Sequence, residues 1–460
     1  MPPPAEDHES TPARSSQEHP SPPPFPVLTG NIAAKAFPLY LSMIAGVLGT
    51  LVTAAVLGHA GTASLAAYAM TIAVFNPAVM VVQGALRGSM PFVAQSGEDP
   101  GRLAPTLRDA MWPALCSGAL GALVMTTVPT VSALIGVPEA TVAAFGLFPH
   151  LMALTLVATS FQTSATTLLI ALGRSREALG IGLVHTALSV TLIPLVVLGP
   201  GPVPALGMSG AGVAMLTNAC VTLVVAHLLL RRRTVLAGHR VGLGRPQWSS
   251  VWRMARVGLP MGSTLLIKFG VLSLVAMAAA TVGVADAAAH HILVTLATFV
   301  FLPATAVGQA AVPFMARAAA TETAPAYREV RRSLLAGIVL ALPVVAASVL
   351  VISLVTGPLL GVFTPDAEVR ALVVALLPVL FVVVVADGAQ ALPGMGLLAL
   401  KRTAPTLRTF ALCFGCLALA AFPVAAAGGL TWLWFAYAVA SVGLVLGQGA
   451  SFLGVTAVRH

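Results

Sequence analysis

Charged side chains are scarce in this chain. They make up 8% of its 460 residues, too few to cover the surface of a soluble domain of that size. Acids are scarcer than bases, 15 against 24, and of the acids only Asp387 falls deep inside an apolar run. There are four cysteines, Cys116, Cys220, Cys413 and Cys416, all within apolar runs. That excludes a disulfide framework, and Cys413-Phe-Gly-Cys416 reads as two thiols on neighbouring helical turns rather than a redox or metal pair. Loops poor in Asp, Glu and His lack the clustered groups of a membrane-embedded transferase. No catalytic residue, bound metal or cofactor is therefore expected.

What is abundant is apolar. Apolar residues form 58% of the sequence and the mean hydropathy is +0.94. The runs are continuous rather than alternating, which rules out barrel strands and predicts an all-α polytopic membrane protein. Residues 1–30 are rich in Pro, Ser and Glu and read as a disordered cytoplasmic tail without the features of a signal peptide. Twelve spans follow. The first six are 36–57, 64–86, 109–135, 140–171, 178–198 and 208–230. The second six are 257–281, 287–316, 333–356, 369–399, 406–427 and 430–455. The division is an N-terminal six-helix lobe over 31–230, a basic cytoplasmic linker over 231–256 and a C-terminal six-helix lobe over 257–460.

The net charge of +9 sits in short loops between spans, so it sets topology and implies no nucleic-acid partner. With the N-terminus inside, 22 of the 24 basic residues fall on the cytoplasmic side; Arg370 lies outside and Lys268 within the membrane. Both termini are then cytoplasmic, in a multi-pass protein of the cell membrane.

The two halves repeat. An offset of 222 takes Pro38 to Pro260, Gly61 to Gly283, and Pro91-Phe92 to Pro313-Phe314. An offset of 228 takes Gln162 to Gln390, Ala171-Leu172 to Ala399-Leu400 and Arg174 to Arg402. Six spans before each restart give the repeats one orientation. Two lobes related by a pseudo-two-fold axis along the membrane normal are expected, a transporter pattern.

Several motifs in these repeats resemble the multidrug and toxic compound extrusion (MATE) family. They are Gly58-His59-Ala60-Gly61 with Leu65-Ala66-Ala67, Pro91-Phe92-Val93-Ala94-Gln95, Ala171-Leu172-Gly173-Arg174, Gly258-Leu259-Pro260-Met261-Gly262, Ala288-Ala289-His290-His291 and Asp387-Gly388-Ala389-Gln390. The resemblance, over about residues 32–455, implies a V-shaped exporter that drives substrates out against inward protons or sodium. Departures are equally informative. Where the family often has an acid in the first helix this chain has Thr53, and where many bacterial members have a seventh-helix glutamate it has Lys268.

Lys268 lies 12 residues past Arg256, and Asp387 lies 14 residues before Lys401. At about 1.5 Å per residue, both are roughly 20 Å deep. A static bridge and a protonatable couple are both open readings of such a pair. Lysine offers donors only, so it disfavours sodium, favours proton coupling and biases its lobe toward anionic or zwitterionic cargo. His185, roughly 13 Å deep in the fifth span, is a second ion-coupling candidate, with an interhelical hydrogen bond as its alternative. Thr53, Asn76, Gln83, Asn218 and Gln390 are candidates to line the substrate cavity or to bond between helices. The expected function is secondary, cation-coupled antiport of drug-like molecules or secondary metabolites. A lipid-linked precursor flippase of the same superfamily is the alternative, and a membrane enzyme is the remote one. The partners expected are a small-molecule substrate, a proton or sodium ion and membrane lipid, with the protein acting as a monomer.

Overall fold

The computed structural model describes residues 23–58, 62–97, 99–134, 136–199, 206–232, 244–321 and 323–457. Most of the segment read as a tail, the His59-Ala60-Gly61 turn and much of the linker lie outside them. Among the described residues there is helix and no strand.

In the first lobe α1 is Phe25–Gly58, α2 Thr62–Arg87, α3 Met90–Ser96, α4 Pro100–Leu134, α5 Glu139–Ala144, α6 Phe148–Ala171, α7 Ser175–Leu198 and α8 Gly207–Arg232. In the second, α9 is Trp248–Val282, α10 Val284–Ala318, α11 Ala324–Leu354, α12 Thr356–Phe363, α13 Ala367–Ala399 and α14 Ala404–Thr456. α14 is two spans in one run: Gly428 and Gly429 leave helical geometry and divide it into a first arm, 404–427, and a second, 430–456. Twelve crossings result. Large side chains left on the outside, such as Leu120 at 65%, Leu419 at 83% and Val439 at 72% exposure, are tolerable only against lipid.

Several boundaries differ from the sequence expectation: α4 begins at Pro100 rather than 109 and α11 at Ala324 rather than 333, and three more differences bear on the packing. α1 begins at Phe25, inside the segment assigned to the tail. There Pro26 is compatible with a first turn, and Leu28 is buried at 2% exposure. α9 begins at Trp248, so residues 248–256 of the expected linker are helical; Trp248 rests on Trp112 of α4, ring centroids 5.6 Å apart. The fourth span is broken into α5 and α6 around Gly146, whose φ of +48° suits glycine. The repeat partner of Gly146 at the 228 offset is Val374, and α13 there runs unbroken.

Packing follows the repeat. α1 lies along α7 as α9 lies along α14, and α6 packs on α8 as α13 packs on α14. The lobes meet through α2 against α9 and, by the same two-fold operation, α10 against α1. At the α2–α9 crossing two pairs of glycines four residues apart face each other, Gly84 on α2 with Gly88 just past its end, and Gly258 and Gly262 on α9. A Cβ on Gly84 would stand 2.7 Å from the Gly262 Cα, and one on Gly262 would stand 3.0 Å from the Val81 carbonyl oxygen. The backbones touch, as small-residue spacing permits in membranes. The contact lies near the ends of both helices that adjoin the basic loops, here called the basic face.

Candidate functional site

α9 carries Lys268 and α13 carries Asp387 into the interior of the second lobe, where they are 8% and 6% exposed. Lys268 Nζ donates to Asp387 Oδ2 at 2.8 Å. The pair inferred from equal depth is therefore present. α10 adds Phe301, whose ring centre is 4.5 Å from Lys268 Nζ, so carboxylate and aromatic face together hold the ammonium. No hydrophobic period in the sequence singles out Phe301 from its neighbours. Asp387 Oδ1 is buried with no partner in the protein. One oxygen is thus committed and the other stays open to a proton, a water or a donor on a ligand.

Below the pair, toward the basic face, Gln448 of the second arm of α14 donates to Gln390 Oε1 at 3.0 Å. Gln390, a candidate to line the cavity or to bond between helices, is 5% exposed and makes the interhelical bond. Two other cavity candidates have similar fates. Thr53 is buried and donates to the Gly49 carbonyl of its own helix, 2.9 Å. Asn218 is buried and donates to Ser189 Oγ at 2.8 Å and to the His185 carbonyl at 3.0 Å. Asn76 is exposed and Gln83 half-buried, both on α2. His185 is half-buried on α7 in the first lobe, away from the Lys268–Asp387 pair, with its backbone rather than its ring engaged by Asn218.

At the basic face the lobes are joined by polar contacts that sequence reasoning missed. Gln95 of α3 donates to the Ala316 carbonyl of α10 at 2.9 Å and accepts from Lys401 just past α13. Lys401 also lies over the Phe92 ring, 4.4 Å away. Lys401 has a φ of +58°, where its repeat partner, Gly173, has +77°. A lysine in the left-handed region costs about 1 kcal/mol, offset here by contacts that reach the other lobe. The available signal was the repeat itself: a lysine stands where the first copy has glycine. Asp109, 1% exposed, accepts from Arg108 at 3.2 Å and from the Gln247 backbone at 3.2 Å, tying α4 to the start of α9.

An apolar crevice of about 530 Å3 lies between α1, α10 and α11, lined by Tyr40, Phe299, Pro343, Ala347 and Val351. It is separate from the charged pair and carries no ionisable group but Tyr40.

Twelve crossings in two repeated lobes, with the Lys268–Asp387 pair buried inside the second, define the architecture of a polytopic membrane transporter. The MatE family profile matches residues 38–195 and 260–424, and the chain belongs to the MatE family. A probable multidrug resistance protein NorM from Rhizobium meliloti is 25% identical over 411 residues, covering 85% of this chain and 86% of the relative. Another from Acinetobacter baylyi is 27% identical over 256 residues, covering 53% of this chain and 56% of the relative, so that match spans little more than half of each. Among solved structures, MATE in complex with MaD5 superposes with a TM-score of 0.81 at 17% identity, covering 93% of this chain and 95% of that one. An outward-facing multidrug resistance MATE family transporter of the MOP superfamily gives 0.80 at 16% identity, covering 93% and 96%. At such identities the structures speak for the fold.

Proposed function

We propose that the protein exports drug-like organic molecules across the cell membrane by alternating access, driven by protons moving inward, with Lys268 and Asp387 as the coupling couple. The observation that carries this reading is the sealed pair with one open carboxylate oxygen. Protonation of Asp387 cancels the attraction that holds Lys268, leaving a buried ammonium that must find another partner. A change in which lobe conformation is preferred follows. A carboxylate or other acceptor on the cargo can then take the ammonium, which suits anionic or zwitterionic cargo. Sodium needs several oxygen ligands; Asp387 has one oxygen already occupied by an ammonium, so a proton is the better-matched ion. Multidrug export is supported by the names of the NorM relatives.

In this reading the basic face is cytoplasmic, with both termini and the 231–256 linker on it, a placement that the distribution of Arg and Lys supports. His185 remains the candidate proton carrier of the first lobe, and Asn76 and Gln83 the polar groups available to cargo there. The decisive experiment uses full-length protein in liposomes with ethidium, a fluoroquinolone and carboxyfluorescein as cationic, zwitterionic and anionic probes. Each is tested under an imposed proton gradient and then a sodium gradient. Movement of the zwitterion or anion under the proton gradient alone is expected. Movement under sodium alone would reject proton coupling, and movement of lipid-linked sugars but of none of the probes would favour the flippase.

A further inference from the structure

Seven buried side-chain polar atoms among the described residues have no partner in the protein. Four of them lie at or above the ion pair in the second lobe: His290 Nδ1 on α10, Trp434 Nε1 and Ser441 Oγ on the second arm of α14, and Asp387 Oδ1 of the pair itself on α13. Their residues are 3%, 1%, 0% and 6% exposed. Trp434, Tyr437 and Ser441 fall at i, i+3 and i+7, which puts them on one helix face over roughly 10 Å of rise. His290 and Trp434 have ring centroids 5.8 Å apart, and Trp434 and Tyr437 5.5 Å. Gln390 of α13 meets Gln448 of this arm of α14 and both helices run toward the basic face, so Asp387, three residues before Gln390, lies about one helical turn beyond Ser441 along the column. The column therefore starts a few turns inside the face opposite the basic one and ends at the coupling carboxylate.

Two features set these atoms apart from ordinary buried polarity. Helical hydroxyls in this protein usually satisfy themselves on the carbonyl four residues back: Thr71 on Ala67, Thr222 on Asn218, Thr264 on Pro260, Thr456 on Phe452. Ser441 does not. Second, buried donors and acceptors without protein partners are characteristically held by ordered water, and two of these, Trp434 Nε1 and Ser441 Oγ, lie along one helix face with Tyr437 between them. Below Ser441 the same face continues with Leu444, fully buried, which separates the column from Gln448.

We propose that His290, Trp434, Tyr437 and Ser441 hold a file of water that conducts protons from the face opposite the basic one to Asp387; this rests on Asp387 being the coupling acid. His, Ser and Tyr both donate and accept, so they can pass a proton along the file, whereas the indole N–H only donates and so orients a water. One proton enters at the water on His290, each water hands on one proton, and the last is bound by Asp387 Oδ1. The Lys268–Asp387 pair then changes from net zero to one positive charge. Leu444 keeps the file from continuing toward the basic face, so uptake does not become a leak. The other ionisable groups on the elements about the column are Lys268 on α9, Asp286 and His291 on α10, Glu368 and Arg370 on α13, and Cys413 and Cys416 on α14, with Arg253 and Arg256 of α9, Arg317 of α10 and Arg408 of α14 near the basic ends of their helices. Those of α1 and α11 lie in the halves of these helices nearer the basic face.

The test needs no cargo. Full-length protein in lipid nanodiscs is subjected to a rapid drop in pH, and the protonated-carboxyl stretch is followed by time-resolved infrared spectroscopy; Asp387→Asn identifies the band. His290→Phe and Ser441→Ala are compared with the parent, and thermal melting establishes that each is folded. The expected result is an unchanged final amplitude reached about tenfold or more slowly in each variant. Parental rates in both folded variants overturn the water file while leaving Asp387 as the coupling acid. Absence of a titrating Asp387 band in the parent overturns the coupling reading and this inference with it. If His290→Phe fails to fold, Ser441→Ala, which removes one hydroxyl, decides alone. A lowered melting temperature with an unchanged rate would assign the column to static structural water and overturn the proposal.

Discussion

Lys268→Met isolates the energetics of the ion pair. At 2.8 Å and an effective dielectric constant of about 20, the attraction between unit charges is about 6 kcal/mol. Much of that offsets the cost of removing both charges from water, so the net value of the pair is far smaller. Removing only the ammonium leaves a carboxylate buried without it, a loss of about 3–5 kcal/mol. Asp387→Leu leaves the lysine with only the Phe301 ring, and the loss should be similar. The double variant, Lys268→Met with Asp387→Leu, replaces both charges with apolar volume and should recover most of the stability, because a buried pair often exchanges for hydrophobic residues at little cost. Stability is read as thermal melting in one detergent, and function as gradient-driven dye efflux from liposomes. The expected pattern is two destabilised singles and a double that melts near the parent yet moves no dye in response to pH. Full pH-driven transport by the double variant would refute proton coupling through this pair and shift attention to His185. Singles that melt like the parent would refute the electrostatic account itself.

Three further outcomes follow from other parts of the fold. Gly88→Leu at the α2–α9 crossing pushes a side chain into the Gly258 backbone, so cross-linking between cysteines introduced at Val81 and Met261 should fall; an undiminished yield would show that the helices have room to spare. Asp366 caps α13 by accepting from the Glu368 amide at 2.8 Å and the Val369 amide at 3.4 Å, so Asp366→Ala should cost about 1 kcal/mol in melting experiments, and no change would show that the cap is dispensable. Lys401→Gly loses the contact with Gln95 but relieves a positive φ worth about 1 kcal/mol. It should therefore melt above Gln95→Ala, and the reverse order would show that Lys401 is not strained.

The number and order of crossings were legible because hydropathy measures the cost of placing a segment in lipid, and that cost governs whether it crosses. Helix breaks were less legible. Gly146 and the Gly428-Gly429 pair look like many other glycines in the sequence, and only their dihedrals distinguish them. The Lys268–Asp387 pair could be read from depth alone, since two opposite charges with no other partner in apolar runs have few ways to be buried. Azimuth was the missing quantity. Thr53, Asn218 and Gln390 were recognised as polar and deep, but whether each faces a cavity, its own backbone or a neighbouring helix depends on rotation about the helix axis, which continuous apolar runs encode weakly. Gly84, Gly88, Gly258 and Gly262 show the opposite case: their four-residue spacing on both helices was in the sequence, and pairing them required knowing that α2 meets α9.

The distribution of unsatisfied polarity bears on how the lobes divide the work. Of the seven buried polar atoms without a protein partner, only Asn218 Oδ1 belongs to the first lobe. In that lobe the family's first-helix acid is Thr53, self-satisfied within α1, and the deep polar cluster of Asn218, Ser189 and the His185 carbonyl joins α7 to α8. These groups bind helices to one another and carry no fixed charge. The second lobe carries the Lys268–Asp387 pair between α9 and α13, the open carboxylate oxygen and the strained Lys401 just beyond α13, whereas the buried Asp109 of the first lobe is tied to Arg108 and the Gln247 backbone at the basic face. A proton arriving at Asp387 changes the charge balance on the same helix whose end holds the cross-lobe contact to Gln95. If protons drive the cycle through Asp387, as proposed, the force arises in the second lobe and reaches the first across the α2–α9 and α1–α10 seams.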